Sequence, residues 1–227
     1  MNKDIRVLSA NGIQLVMTDV ETSIVRDSVL ADLRANLYGL NDIWLEPRDV
    51  VVDIGANIGM VSVYLERKHP GIVVHALEPV PVNYDSLVAN MELNKCQGAT
   101  YNLAVTGDGR DFEMIAHLAS NTGGATGFLR NMNLPDHQKF TVKSTKLDDF
   151  IASLGFPKIK LLKIDCEGAE YEILKGSSLL YMVEHLSGEF HVNSRLGGER
   201  APSDLLAHCR KWIEPAKIHV HVQRMAE

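Results

Sequence analysis

No stretch of this chain approaches the roughly 18 consecutive apolar residues of a membrane-spanning helix, and no cluster of Lys or Arg stands anywhere in it. The first absence leads to the expectation of a soluble protein with no membrane partner. The second, together with a formal net charge of -6, argues against duplex nucleic acid as a partner. The N-terminal Met1-Asn2-Lys3-Asp4-Ile5-Arg6 alternates charged and apolar residues and lacks the apolar centre of a secretory signal. Cysteine is scarce: Cys96, Cys166 and Cys209 form no C-x-x-C pair and leave an odd thiol under any pairing, which suits a cytoplasmic location and offers no compelling zinc ligand. Linkers rich in Pro, Gly or Ser are missing too, so the 227 residues read as one main domain over 41–227 preceded by a short extension, 1–40.

Among what is present, Val50-Val51-Val52-Asp53-Ile54-Gly55-Ala56-Asn57-Ile58-Gly59 is the most informative stretch. Its apolar β-formers suit a strand buried on both faces of a parallel sheet, and the small residues Gly55, Ala56 and Gly59 allow a ligand to approach the turn backbone. A dinucleotide fingerprint needs G-x-G-x-x-G, and Asn57 occupies the position of its middle glycine. Asp53, two residues before the first glycine, would repel an anion and implies a cationic ligand end. The spacing D-x-G-x-N-x-G resembles motif I of the class I S-adenosylmethionine-dependent methyltransferases. A second apolar run, Ile72 to Leu77, ends in Glu78-Pro79, and a carboxylate there can accept hydrogen bonds from both hydroxyls of a ribose.

Hydrophobic periodicity places the remaining elements. Segments 4–9 and 13–18 around Asn11-Gly12 read as a β-hairpin, followed by a helix from Thr22 to Tyr38 whose simplest role is to cover the cofactor-side edge of the fold. Then come a strand at 49–54, a helix from about 57 to 68, a strand at 72–78, a helix from about 81 to 94 and strands at 99–105 and 111–117. A helix at 145–154, a strand at 159–165, a helix at 169–175, a strand within 180–191, a helix at 202–212 and a strand at 216–222 complete the series. Such alternation predicts right-handed βαβ units, hence a Rossmann-like α/β fold with a mostly parallel sheet, helices on both faces and an N-terminal β-ribbon and helix. The Gly- and Thr-rich segment 120–127 lacks the G-K-[ST] of a triphosphate-binding loop and reads as a flap near the substrate or as a plain surface loop.

Lys163-Ile164-Asp165-Cys166-Glu167-Gly168-Ala169-Glu170 forms a second constellation. Together with the motif around Asp53, Leu77-Glu78-Pro79, Leu147-Asp148-Asp149 and Glu189-Phe190-His191, it resembles the FkbM family of methyltransferases over most of residues 49–191. The resemblance implies a Rossmann-like methyltransferase domain, S-adenosyl-L-methionine as donor, and O-methylation of a hydroxyl on a sugar, polyketide or similar small metabolite.

From the residues themselves, Asp165 ends an interior strand, so it belongs on the same carboxyl edge as Asp53 and Glu78, where ligands of open α/β sheets collect. There it can orient the acceptor hydroxyl, bind the donor's amino group or ligate a cation. Glu167 and Glu170 either point together or form a charged first helical turn. Glu189 and His191 share a strand face, so His191 can serve as a base while Glu189 holds its tautomer or binds the acceptor. With Asp165 they also make an oxygen-rich set open to Mg2+, although the spacing is not diagnostic of a metal. The expected catalytic residues are therefore Asp165, His191 and Glu189. Cofactor contacts are expected from Asp53, Gly55, Ala56, Asn57, Gly59, Glu78, Asp165 and, toward an adenine, Ala104. Cys166 lies between acids that oppose thiolate formation and reads as a packed side chain, and His185, His219 and His221 read as structural or solvent-facing. Two alternatives stay open: an NAD-dependent oxidoreductase, and a scaffold that keeps the cofactor fold without catalysis. The sequence is compatible with a homo-oligomer and does not name the acceptor.

Overall fold

A computed structural model describes residues 2–117, 137–192 and 202–224. The segment 120–127 lies outside the described residues. Strands β1 (Lys3–Ala10) and β2 (Ile13–Val20) form an antiparallel ribbon. Asn11 and Gly12 at its turn have φ of 49° and 82°, the left-handed conformation a tight hairpin demands. Helix α1 (Val25–Arg34) follows. It is shorter than the periodicity suggests because Asn36, at φ 55°, breaks it before Gly39 is reached.

The main body alternates β3 (Val50–Ile54), α2 (Met60–Lys68), β4 (Val73–Leu77), α3 (Pro81–Leu93) and β5 (Ala99–Tyr101), and then α4 (Leu147–Leu154), β10 (Ile159–Ile164), α5 (Glu170–Gly176), β11 (Val183–Val192), α6 (Pro202–Cys209) and β12 (Ile218–Arg224). Six strands pair in parallel in the order β12-β11-β10-β3-β4-β5. Chain order runs outward in both directions from the β3–β10 boundary, which makes that boundary the switch point where a crevice opens beyond the strand ends. The expected strand at 99–105 divides. Asn102 turns aside to donate to the carbonyls of Glu78 and Pro79, and Ala104–Thr106 (β6) instead pairs with β9 (Ser144–Lys146). Strands β7 (Phe112–His117) and β8 (His137–Val142) form a separate antiparallel pair.

Strand alternation sorts the core into two faces. Val51, Val74 and Leu161 pack with α2, α3 and the ribbon, whereas Val50, Val52, Ile54 and Leu162 pack with α4, α5 and α6. The ribbon is tied to the body by two asparagines four residues apart, Asn90 in the last turn of α3 and Asn94 at its C-cap. Asn94 exchanges both hydrogen bonds with the backbone of Val16 at 2.9 and 2.7 Å, and Asn90 does the same with Thr18 at 2.6 and 3.0 Å. Their amides take the place of a neighbouring strand, so the edge of β2 is paired although no strand lies beside it.

On the far side of the sheet, Glu184 at the start of β11 meets Lys158, Lys160 and Lys217. Burial pushes its carboxyl up, but the three ammonium groups outweigh that and hold it at about 2. A depressed folded pKa means that the contribution to stability is present above the unfolded value of about 4.3 and is lost as pH falls through about 2. Glu184→Gln is expected to destabilise the chain by about 1 kcal/mol at pH 7. Urea unfolding at pH 7 and at acid pH checks this: the gap between parent and variant should narrow as the solution is acidified below about pH 4.

Candidate functional site

The carboxyl edge of β3, β4, β10 and β11 opens into a cavity of about 550 Å3. Its floor is the turn after β3. Gly55 and Ala56 donate to the carbonyl of Leu77 at 3.0 and 2.9 Å, and Asn57, at φ 50°, donates its N–H to Glu78 Oε2 at 2.9 Å. Helix α2 begins three residues later than its apolar pattern suggests because Asn57 and Gly59 both take left-handed conformations. Glu78 Oε1 accepts from the N–H of Val80 at 2.9 Å. Burial pushes the Glu78 carboxyl up to about 7, against those backbone donors, which favour its ionised form.

Of the residues expected to contact a cofactor, Gly55, Asn57, Glu78, Ala104 and Asp165 line this cavity, whereas Asp53, Ala56 and Gly59 do not. Ala56 and Gly59 shape the turn from behind, and a side chain at Gly59 would strike Leu87. Asp53 lies apart from the cavity lining. It sits inside β3 on the α2 face, fully buried, where it accepts from Ser62 Oγ at 2.6 Å and pairs with Lys163 at 3.2 Å. The pleat decides this: Asp53 and Lys163 are register partners on adjacent parallel strands and point to the same side. Lys163 also donates to the carbonyl of Gly55 at 2.9 Å, so the buried pair braces the turn from below.

Asp165, Glu167, Glu189 and His191 all line the cavity. Asp165 follows β10, and its Oδ2 accepts from the Tyr38 hydroxyl at 3.3 Å. Glu167 has φ 52° and stands in the turn before α5. His191 projects from β11 with its side chain 3% exposed, and its Nδ1 lies 2.9 Å from Glu170 Oε1. Glu170 is itself buried and accepts from the N–H groups of Cys166 and Gly168. The carboxylate that holds the imidazole is therefore Glu170, from the helix that follows β10. Glu189, expected in that role because it shares a strand face with His191, stays 3.7 Å from Nε2.

Charge in this corner is one-sided. Burial disfavours the imidazolium of His191, but the hydrogen bond from Glu170 and the charges of Glu170, Glu167 and Asp165 outweigh it and raise its pKa to about 9. The raised value favours the imidazolium, so a base or ligand role for Nε2 requires that its proton be displaced first. Burial and neighbouring carboxylates likewise push Glu167 and Glu189 up to about 7. Cys166 is raised by burial and by Glu170, in keeping with an inert packed thiol. Two contributors escape sequence reading, Asp32 on α1 and Tyr38 after it, both in the segment taken as a cover. Burial and the charge of Asp165 raise the pKa of each.

No helix among the described residues is long and apolar enough to cross a membrane. The chain is 30% identical over 164 residues to the 31-O-demethyl-FK506 methyltransferase FkbM of Streptomyces tacrolimicus, covering 61% of this chain and 63% of that one. It is 28% identical over 152 residues to the hexuronic acid methyltransferase AglP of Haloferax volcanii, covering 65% of this chain and 58% of that one. The match thus spans about six-tenths of each of these curated relatives. Methyltransferase FkbM from Methylobacillus flagellatus KT, a solved structure, aligns at 17% identity with a TM-score of 0.40 over 66% of this chain and 38% of that one. Residues 53–201 match the family described as the methyltransferase FkbM domain, and the chain belongs to that family.

Proposed function

We propose that this chain is an S-adenosylmethionine-dependent methyltransferase that methylates a hydroxyl of a small metabolite such as a sugar or polyketide. One observation carries the reading. Among the described residues, the cavity is lined by five acids, Asp32, Glu78, Asp165, Glu167 and Glu189, and by no Lys or Arg. Such a wall opposes the pyrophosphate of a dinucleotide and favours a ligand with a cationic centre. An apolar side formed by Val80, Ala104, Val105, Phe112 and Met114 fits an adenine. Membership of the FkbM family supports the same donor, and the names of the two relatives, 31-O-demethyl-FK506 and hexuronic acid methyltransferases, support an oxygen-bearing acceptor.

When bound, S-adenosylmethionine supplies an electrophilic methyl group on a sulfonium sulfur. Glu78, rigidly held by the Asn57 and Val80 N–H groups, keeps lone pairs free to accept from a ribose. Asp165 is fixed by Tyr38 at the mouth of the switch point and orients the acceptor. Glu189 has no Lys or Arg partner among the described residues, and its carboxylate takes the acceptor's proton. Mg2+ is a second, separable part of this proposal, since a divalent cation helps where the acceptor alcohol must be made more acidic.

Titration calorimetry with S-adenosylhomocysteine and with NAD tests the donor, and labelled-methyl transfer to hydroxylated sugars and polyketides tests the acceptor. Uptake of the first ligand alone is expected; binding of NAD in its place would overturn the reading. Glu189→Gln should lower kcat on the order of 10²-fold and leave S-adenosylhomocysteine affinity within about threefold. A change in affinity with kcat intact would remove Glu189 from the proton's path.

A further inference from the structure

His191 Nε2 faces a gap that no hydrogen bond crosses. It stands 3.9 Å from Asp165 Oδ1 and 3.6 Å from Glu167 Oε2, and one ligand atom from each of the three residues lies within 4.8 Å of the others. Hydrogen bonds between such groups span about 2.7–3.2 Å. Two ligands held at roughly 2.1–2.4 Å from one ion at angles of 90° or more lie about 3.0–4.8 Å apart. The spacing is that of donors around a shared cation.

The surroundings are built to the same end. The His191 side chain is nine-tenths buried or better, and its Nε2 has no hydrogen-bond partner among the described residues. Glu170, with both oxygens engaged by the N–H groups of Cys166 and Gly168, accepts from Nδ1 and so turns Nε2 to the gap. A carboxylate behind an imidazole is the usual support of a metal-bound histidine. Asp165 is prepared in a parallel way: Tyr38 and Lys163 approach its Oδ2, which leaves Oδ1 toward the gap.

We propose that Asp165 Oδ1, Glu167 Oε2 and His191 Nε2 hold one divalent cation, Mn2+ or Mg2+, with its remaining coordination positions open to the cavity. Two carboxylates and one imidazole form a mainly oxygen set, which suits these ions better than thiolate-seeking metals. Three protein ligands leave room for an acceptor oxygen. The role of the cation in methyl transfer rests on the reading above: a hydroxyl on its open side becomes more acidic, and its proton passes to Glu189.

Mn2+ added to the chelator-treated chain, with the free ion followed by electron paramagnetic resonance, tests the site. One Mn2+ per chain should be taken up and displaced by excess Mg2+. Glu167→Gln should weaken uptake at least tenfold, and Glu170→Gln, which touches only the imidazole's support, about 10- to 100-fold. Circular dichroism serves to check that each variant is folded. No uptake at millimolar Mn2+ by the folded parent, or uptake that Glu167→Gln leaves unchanged, overturns the proposal. S-adenosylhomocysteine binding in the presence of chelator separates the two readings: if it persists while Mn2+ is refused, the cation site fails alone. Mn2+ uptake without S-adenosylhomocysteine binding sinks the methyltransferase reading and leaves the site standing.

Discussion

Gly55→Ala is expected to lower stability by about 3 kcal/mol or more and to abolish S-adenosylhomocysteine binding. Gly55 has φ +74°, and a Cβ there would lie 1.9 Å from the carbonyl oxygen of Asp165 and 2.9 Å from its carbonyl carbon. The obstructing atoms are backbone at the end of β10, so no rotamer change relieves the clash. The turn cannot retreat either: the Gly55 N–H is bound to Leu77 and its carbonyl to Lys163. Gly12→Ala is the matched control. Gly12 has φ +82° with nothing within 4 Å of its would-be Cβ, so only the backbone cost of about 1–2 kcal/mol remains. Urea unfolding of the two variants gives the comparison. Equal losses would show that the close approach of the β3 and β10 ends contributes nothing.

That approach explains which parts of the molecule are legible in the sequence. Alternating strand and helix patterns place the six parallel strands, and parallel topology then brings the ends of β3, β4, β10 and β11 to one edge without further information. Glu78, Asp165, Glu189 and His191 reach the cavity for that reason. Boundaries shift where single residues adopt left-handed backbone, as at Asn36 and Asn57, because an asparagine in a helix-like pattern gives only a weak signal of such a turn. The amide ladder of Asn90 and Asn94 is invisible for a different reason. Its partners Thr18 and Val16 lie more than seventy residues away, and polar residues at helical spacing read as a solvated face. The pairing of His191 with Glu170 is likewise long-range, 21 residues apart and on different elements, whereas Glu189 is the neighbour that strand periodicity offers. Asp32 and Tyr38 belong to an extension with no motif of its own, and only tertiary packing brings them to Asp165.

The acid of the motif, Asp53, is buried inside β3 and does not line the cavity, and Lys163→Met tests what that placement does. The variant is expected to lose about 3–5 kcal/mol, because it leaves the fully buried Asp53 carboxylate without its cation. Lys163 is itself 3% exposed; burial disfavours its charge, and Asp53 followed by Asp165 more than restores it, so its pKa stands above the usual lysine value. Asp53→Asn in the Lys163→Met background removes the stranded charge and should recover about 2 kcal/mol of that loss. Recovery stays incomplete because the Gly55 carbonyl still lacks its donor. Unfolding of the two single variants and the double variant measures this coupling, and strictly additive losses would show that the two side chains do not act as a pair. Calorimetry on the folded Asp53→Asn single variant then decides what the acid of D-x-G-x-N-x-G is for. An acid that holds the donor directly would cut S-adenosylhomocysteine affinity by tenfold or more when replaced by Asn. An acid that braces the turn through Lys163 should leave Asp53→Asn alone with near-parental affinity once folding is accounted for, and the geometry of β3 requires this second result.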